Sequence, residues 1–255
     1  MRVYIASAVA IVPESNEARV QAIGEEDPKT KRLPRVDRLA LAAGKRALAA
    51  AGGVTDGMAL VVGTNYGGLQ ATVDFLEGMA SRGFAFGSPG AFHESVHHAP
   101  AGQLSIALQL TGPSLTCSDR ELSGETALRA GADLIELGRA RRALVVSADE
   151  VVPAFEEAFR AHKFEQLPRE SAAGVVLADQ GPVRIESIEL DGPGLPMLRA
   201  AGPVAEGRFI TSSGGLAAIA TAFDMLTGMQ PGERIVLERF AFGGSTAKIT
   251  LVRVG

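Results

Sequence analysis

Few residues in this chain could do covalent chemistry, and their placing narrows what that chemistry could be. The single cysteine is Cys117, and all four histidines (His93, His97, His98 and His162) precede residue 163. Around the cysteine, the run Gly112-Pro113-Ser114-Leu115-Thr116-Cys117-Ser118-Asp119-Arg120-Glu121-Leu122-Ser123-Gly124 reads as a strand, a sharp turn and a helix. The turn presents Glu121. A carboxyl there can hold a proton or a hydrogen bond. Cys117 lies in the apolar strand without a base beside it and reads as packing, not as a nucleophile.

Metal and phosphate chemistry are poorly served. His97 and His98 are adjacent, so on a helix they would point in different directions, and no third ligand stands at useful spacing. One cysteine excludes an internal disulfide and any multi-cysteine metal site. Gly67-Gly68 and Gly243-Gly244 match neither the dinucleotide nor the P-loop pattern, and read as turns that permit close backbone approach. A net charge of −4 without a long basic stretch argues against a nucleic-acid surface. The cluster Arg139-Ala140-Arg141-Arg142 reads as the charged end of a helix meeting that helix's dipole.

The elements that must position these residues alternate along the chain. At 255 residues and 46% hydrophobic composition, the sequence supports a well-buried core. Residues 1–12 form an apolar but interrupted run that predicts a buried first strand. It is too short to span a membrane and lacks a charged leader region, so a cytoplasmic protein is expected. Asp37 is expected to cap a helix carrying Leu39, Leu41, Ala42, Leu48 and Ala49, which ends at Gly52-Gly53. Residues 59–64 form a continuous apolar run of strand length, the pattern of a parallel strand buried on both faces. Gly67-Gly68 opens a second helix, a glycine-rich loop follows over 81–90, and a third helical segment lies near 99–110. Beyond the turn at Glu121 the spacing predicts a helix over 124–137, a strand over 143–148 and a short helix over 155–162. Strands at 173–176 and 183–190 follow, then a Pro/Gly-rich stretch over 191–207. The chain closes as strand 209–211, helix 216–225, strand 234–237, and the turn Phe240-Ala241-Phe242-Gly243-Gly244-Ser245-Thr246 leading into strand 247–252. This order predicts an α/β sheet covered on both faces.

There is also an internal echo. Ser123-Gly124 and Ser213-Gly214 stand 90 residues apart, and at the same offset Ala127, Ala130 and Gly138 meet Ala217, Ala220 and Gly228. Each copy runs small-residue turn, Ala-rich helix, glycine, strand.

Several segments resemble β-ketoacyl synthases of the thiolase superfamily, in the family's order. Residues 112–124 resemble the strand and nucleophile elbow, with Glu121 where the cysteine nucleophile would stand. Val61-Val62-Gly63-Thr64-Asn65-Tyr66-Gly67-Gly68-Leu69 is similar to the family's Gly-Gly-Leu strand–helix junction. Ser95-Val96-His97-His98-Ala99-Pro100-Ala101-Gly102-Gln103-Leu104-Ser105-Ile106-Ala107 resembles the helix before the elbow. Glu170-Ser171-Ala172-Ala173-Gly174-Val175-Val176-Leu177 resembles the Gly-Glu-Gly-Ala strand, and residues 240–246 resemble the terminal Phe-Gly-Phe-Gly-Gly-Thr-Asn turn. The resemblance implies a thiolase-like layered αβαβα fold in one structural unit, with a first half over 1–190 and a shortened second half over 191–255.

The departures from the family bear on activity. Its catalysts use two histidines from the second half to bind the thioester oxygen and promote decarboxylation, one of them in a His-Gly-Thr-Gly-Thr loop. This chain has no histidine after His162 and no such loop; where the other histidine would follow Lys-x-x-x-Gly, it reads Ile210-Thr211-Ser212-Ser213-Gly214-Gly215. Condensation needs an activated thiolate and donors aimed at the oxyanion, and both sets are missing together. The resemblance therefore implies a catalytically silent, chain length factor-type subunit of type II polyketide or aryl polyene systems. Such a subunit pairs with an active ketosynthase, works on acyl carrier protein substrates and needs no cofactor. Leu115, Thr116, Cys117 and Ser118, with the helix near 99–110, are the implied partner interface. Phe242, Gly243 and Gly244 are the implied acyl-pocket gate. Two alternatives stand beside this reading: a malonyl decarboxylase or residual condensing enzyme using Glu121, and a homodimeric acyl-binding scaffold. Glu121 itself is either a mimic of a bound acyl group or partner anchor, or a remnant left once the thiol was no longer needed.

Overall fold

A computed structural model describes residues 2–14, 17–21, 23, 30–162, 168–191, 213–241 and 245–255. Its elements are β1 (Val3–Ile11), α1 (Arg35–Ala50), β2 (Ala59–Gly63), α2 (Leu69–Arg82), a 3-10 turn (Phe84–Phe86), α3 (Pro89–Ser95), α4 (Ala99–Leu108), β3 (Ser114–Cys117) and α5 (Ser123–Glu136). Then come β4 (Arg142–Asp149), α6 (Pro153–Ala161), β5 (Ser171–Ala178), β6 (Val183–Asp191), α7 (Ser213–Thr227), β7 (Arg234–Phe240) and β8 (Thr246–Arg253). The strand expected at 209–211 lies outside the described residues.

All eight strands join one sheet in the order β3-β2-β4-β5-β1-β6-β8-β7. β2 runs parallel to both β3 and β4, and the remaining neighbours are antiparallel. The period-two alternation of strands explains the layering. In β2 and β4, Ala59, Val61 and Val145 turn to one face, where α5 and α7 lie, while Leu60, Val62, Leu144 and Val146 turn to the other, against α1 and α4. The first core also takes Ile188, Ile249 and Leu251 from β6 and β8, so α5 and α7 are sandwiched between the two ends of the sheet. Helix, sheet, helix pair and sheet account for four layers. The outer face of β6-β8-β7 carries no helix among the described residues. It is laced instead by ion pairs, Arg234–Glu186 at 3.0 Å and Lys248–Glu238 at 3.1 Å, and by a Ser187–Thr250 hydroxyl contact.

The sheet repeats one plan on either side of a central pair. β1 pairs with β6 through Val3↔Ile185, Tyr4↔Arg184 and Ile5↔Val183. Outward from it, β1-β5-β4 and β6-β8-β7 follow the same antiparallel plan. The register slips between Ile5 and Ser7 in one half and between Ile185 and Ser187 in the other. Val3-Tyr4-Ile5-Ala6-Ser7 and Val183-Arg184-Ile185-Glu186-Ser187 thus share a bulge as well as a pattern.

Two local expectations are corrected. Asp37 does not cap α1: Pro34 holds that position, and Asp37 is buried in the first turn with neither carboxyl oxygen bonded. The cap comes instead from Glu150, which receives the N–H groups of Val36 in α1 and of Gln70 in α2, the latter at 2.8 Å. In the arginine cluster, Arg142 serves another helix than α5. Arg142 donates to Ala51 O at 2.7 Å and to Gly53 O at 3.2 Å, so it answers the C-terminal carbonyls of α1.

Candidate functional site

The site grows from the turn between β3 and α5. Thr64 N donates to Cys117 O, tying the ends of β2 and β3 together. The chain then reverses with Arg120 at φ +50°, a left-handed conformation uncommon for a residue with a side chain. Ser123 holds the reversal in place: its hydroxyl donates to Arg120 O at 2.6 Å and accepts from Asp119 N at 2.7 Å. Asp119 is in turn fixed by Thr126 Oγ1 at 2.8 Å. A Cβ on Gly63 would run into the Ser123 carbonyl oxygen, so glycine there lets the strand end abut the start of α5.

Glu121 sits partly buried at the tip of this turn, and its Oε2 is buried with no hydrogen-bond partner. One helical turn further on, Glu125 is 1% exposed. Arg239 of β7 donates from Nη1 to Glu125 Oε1 at 2.9 Å, while Glu125 Oε2 is left unbonded. Burial pushes the Glu125 carboxyl up, with Arg239 opposing that shift and Asp119 adding to it.

Tyr66 lies on the opposite wall. Its ring meets Phe155 edge-on at 4.7 Å, and Phe155 meets Phe159 in the same way, so α6 is seated on Tyr66 by an aromatic stack. Burial first, then the charges of Asp149 and Glu121, raise the Tyr66 hydroxyl well above the ordinary tyrosine range. The tandem Asp149-Glu150 at the end of β4 organises this wall. Asp149 accepts from Thr64 Oγ1 at 2.9 Å, Asn65 N at 2.9 Å and Tyr66 N at 3.2 Å, while Glu150 holds the starts of α1 and α2. Beside Glu150 opens a cavity of about 310 Å³ lined by Arg19, Arg32, Arg38, Gln70 and Glu94.

The sequence-derived candidates fall out unevenly. Glu121 is at the turn as expected. Leu115, Thr116 and Cys117 lie in β3, the edge strand, and Ser118 just beyond it, with Leu115 42% exposed and Ser118 exposed. Cys117 is half-buried rather than fully interior; burial and the nearby charge of Asp119 push its thiol up, away from the reactive thiolate. Phe242, Gly243 and Gly244 lie outside the described residues; of their neighbours, Ala241 N donates to Ser245 O at 2.8 Å. His97 and His98 are exposed and precede α4 instead of lying in it. Among the described residues no three His, Cys, Asp or Glu side chains gather in a metal-binding group. Sequence reasoning missed Tyr66, Glu125, Asp149 and Arg239. The acidic tandem closing an apolar strand was the one signal that could have found part of this set.

Residues 13–201 match the β-ketoacyl synthase, N-terminal domain family. The chain belongs to that family. No curated protein matches this family member. Among solved structures, it is similar to the ishigamide ketosynthase/chain length factor, with 17% identity, TM-score 0.82 and 99% of each chain covered. A β-ketoacyl synthase from Burkholderia phymatum STM815 shares 15% identity, with TM-score 0.81 and full coverage of both chains. A ketosynthase in complex with its chain length factor (ApeO and ApeC) from Xenorhabdus doucetiae shares 19% identity, with TM-score 0.66 and coverage of 98% of this chain and 99% of that one. These likenesses show a ketosynthase-like fold. No helix among the described residues of this family member is long and apolar enough to cross a membrane.

Proposed function

We propose that this chain is a catalytically silent, chain length factor-type subunit that pairs with a cysteine-bearing β-ketoacyl synthase in type II polyketide or aryl polyene biosynthesis. The observation that carries the reading is Glu121 at the tip of a fully built elbow. The strand, the turn, Ser123 and the start of α5 all persist, while the side chain they present is a carboxyl and not a thiolate. The lack of any histidine after His162 removes the second half of the chemistry as well.

The two ends of the sheet support a partner at β3. Natural edge strands are protected by charge, proline or bulges. β7, at one end, exposes Arg234 and Glu238 along with Val236 and Phe240. β3, at the other, reads Ser-Leu-Thr-Cys, pairs only with β2 among the described residues, and exposes Ser114 and Leu115. Helix α4 beside it leaves Ile106 76% exposed. An undefended edge flanked by apolar side chains suits a strand from a second ketosynthase-like body.

Co-expression with a full-length ketosynthase from the same genome tests the reading. A stable one-to-one complex is expected, with no condensation by this chain alone on acyl- and malonyl-carrier protein. Product formed without added ketosynthase would refute the silent role. A lone homodimer that ignores the ketosynthase would refute the pairing.

A further inference from the structure

The cavity of about 310 Å³ at the starts of α1 and α2 has Arg19, Arg32 and Arg38 in its wall. Each comes from a different stretch of chain, and local bonds hold each in place. Val20 N donates to the buried Glu170 at 2.9 Å and Glu170 N donates to Ala18 O at 2.7 Å, which fixes the segment carrying Arg19. Arg32 sits in a turn closed by Leu33 N donating to Thr30 O at 3.1 Å. Arg38 belongs to the first turn of α1.

The cations of this wall are unpaired while most of its acids are engaged. A fourth arginine, Arg35, is taken by Glu170, to which its Nε donates at 2.6 Å. Among the described residues no ion pair or hydrogen bond engages the side chains of Arg19, Arg32 and Arg38, and even the buried Nε of Arg38 finds no acceptor. Glu150, by contrast, receives the N–H groups of Val36 and Gln70, and Asp74 accepts from Gln70 Nε2 at 2.8 Å. Of the wall's acids, that leaves Glu94. Unpaired guanidinium groups call for oxygen acceptors, and a phosphate offers more of them than a carboxylate does. Two helices also begin here, and their positive ends favour an anion.

We propose that this cavity binds a phosphate group, as the free ion or on a small phosphate monoester. Its volume stands at the lower bound of small-molecule pockets, which suits a short ester better than a nucleotide. Nothing in the site depends on a partner subunit.

Isothermal titration with inorganic phosphate and with methyl phosphate at constant ionic strength tests this, with the melting temperature of each variant alongside. Saturable binding is expected, weakened about tenfold or more by Arg38→Gln and by Arg32→Gln. Arg139→Gln, beyond the end of α5, should leave it unchanged. Tighter binding of methyl phosphate would mark an ester as the occupant and tighter binding of inorganic phosphate the free ion; either supports the site. No saturable binding of either anion overturns the inference, and so does an equal loss in Arg139→Gln or acetate binding as tightly as phosphate. Should Arg38→Gln lower the melting temperature, the exposed Arg32 decides: unchanged binding in Arg32→Gln overturns the inference.

Discussion

Arg239 of β7 reaches across to Glu125 of α5, and their 2.9 Å ion pair ties the last sheet to the helix beneath the elbow. Both partners are withdrawn from water, at 19% and 2% side-chain exposure. Removing one member of such a pair strands the other. Arg239→Ala is therefore expected to cost roughly 3–5 kcal/mol in a denaturant titration. A double replacement by apolar residues, Arg239→Met with Glu125→Leu, should lose much less. Equal losses in the single and double variants would show that packing, not charge, holds the joint.

Asp37 makes the stability of the chain depend on pH. Burial, followed by the charges of Glu150 and Glu94, raises its carboxyl from the ordinary value to about 7. Below the unfolded-state value both forms hold the proton and Asp37 contributes nothing to the pH dependence. As pH rises from there to about 7, the unfolded chain ionises while the folded one keeps its proton, so stability falls. The loss is on the order of 4 kcal/mol for a shift of this size. Melting temperatures should drop between pH 4 and pH 7, and Asp37→Asn should flatten that part of the profile.

Restoring the thiol should not restore the reaction. Glu121→Cys places sulfur at the tip of the elbow, where alkylation by iodoacetamide, read by intact mass, should report it beyond the half-buried Cys117. Condensation of acyl- and malonyl-carrier protein should still be undetectable, because no imidazole follows His162 to stabilise the oxyanion. Product from this variant would mean that some other donor fills that role.

The sequence made the buried strands easy to read. β2 and β4 are apolar on both faces, and the unbroken runs 59–63 and 143–148 reflect that directly. α3 was hidden: Gly83, Gly87, Pro89 and Gly90 read as loop, yet seven residues form a helix, held by a Ser88 cap and by Phe92 against Phe75. The start of α1 was misread because its cap, Glu150, comes from far along the chain while an acidic residue near the start looked sufficient. The same holds at the site. Glu121 was legible because Gly112-Pro113 and Ser123-Gly124 on either side of it resemble the ends of the family's elbow. The Glu125–Arg239 joint was not, since its members are 114 residues apart and only the folded sheet brings them together.

On the outward side of β6, β8 and β7, charged pairs alternate with the half-exposed Val236 and Phe240. A protein settling there would have to dehydrate Arg234, Glu186, Lys248 and Glu238 while it buried those two apolar side chains. Those ion pairs thus set a desolvation cost on that wall which any tight contact would have to meet.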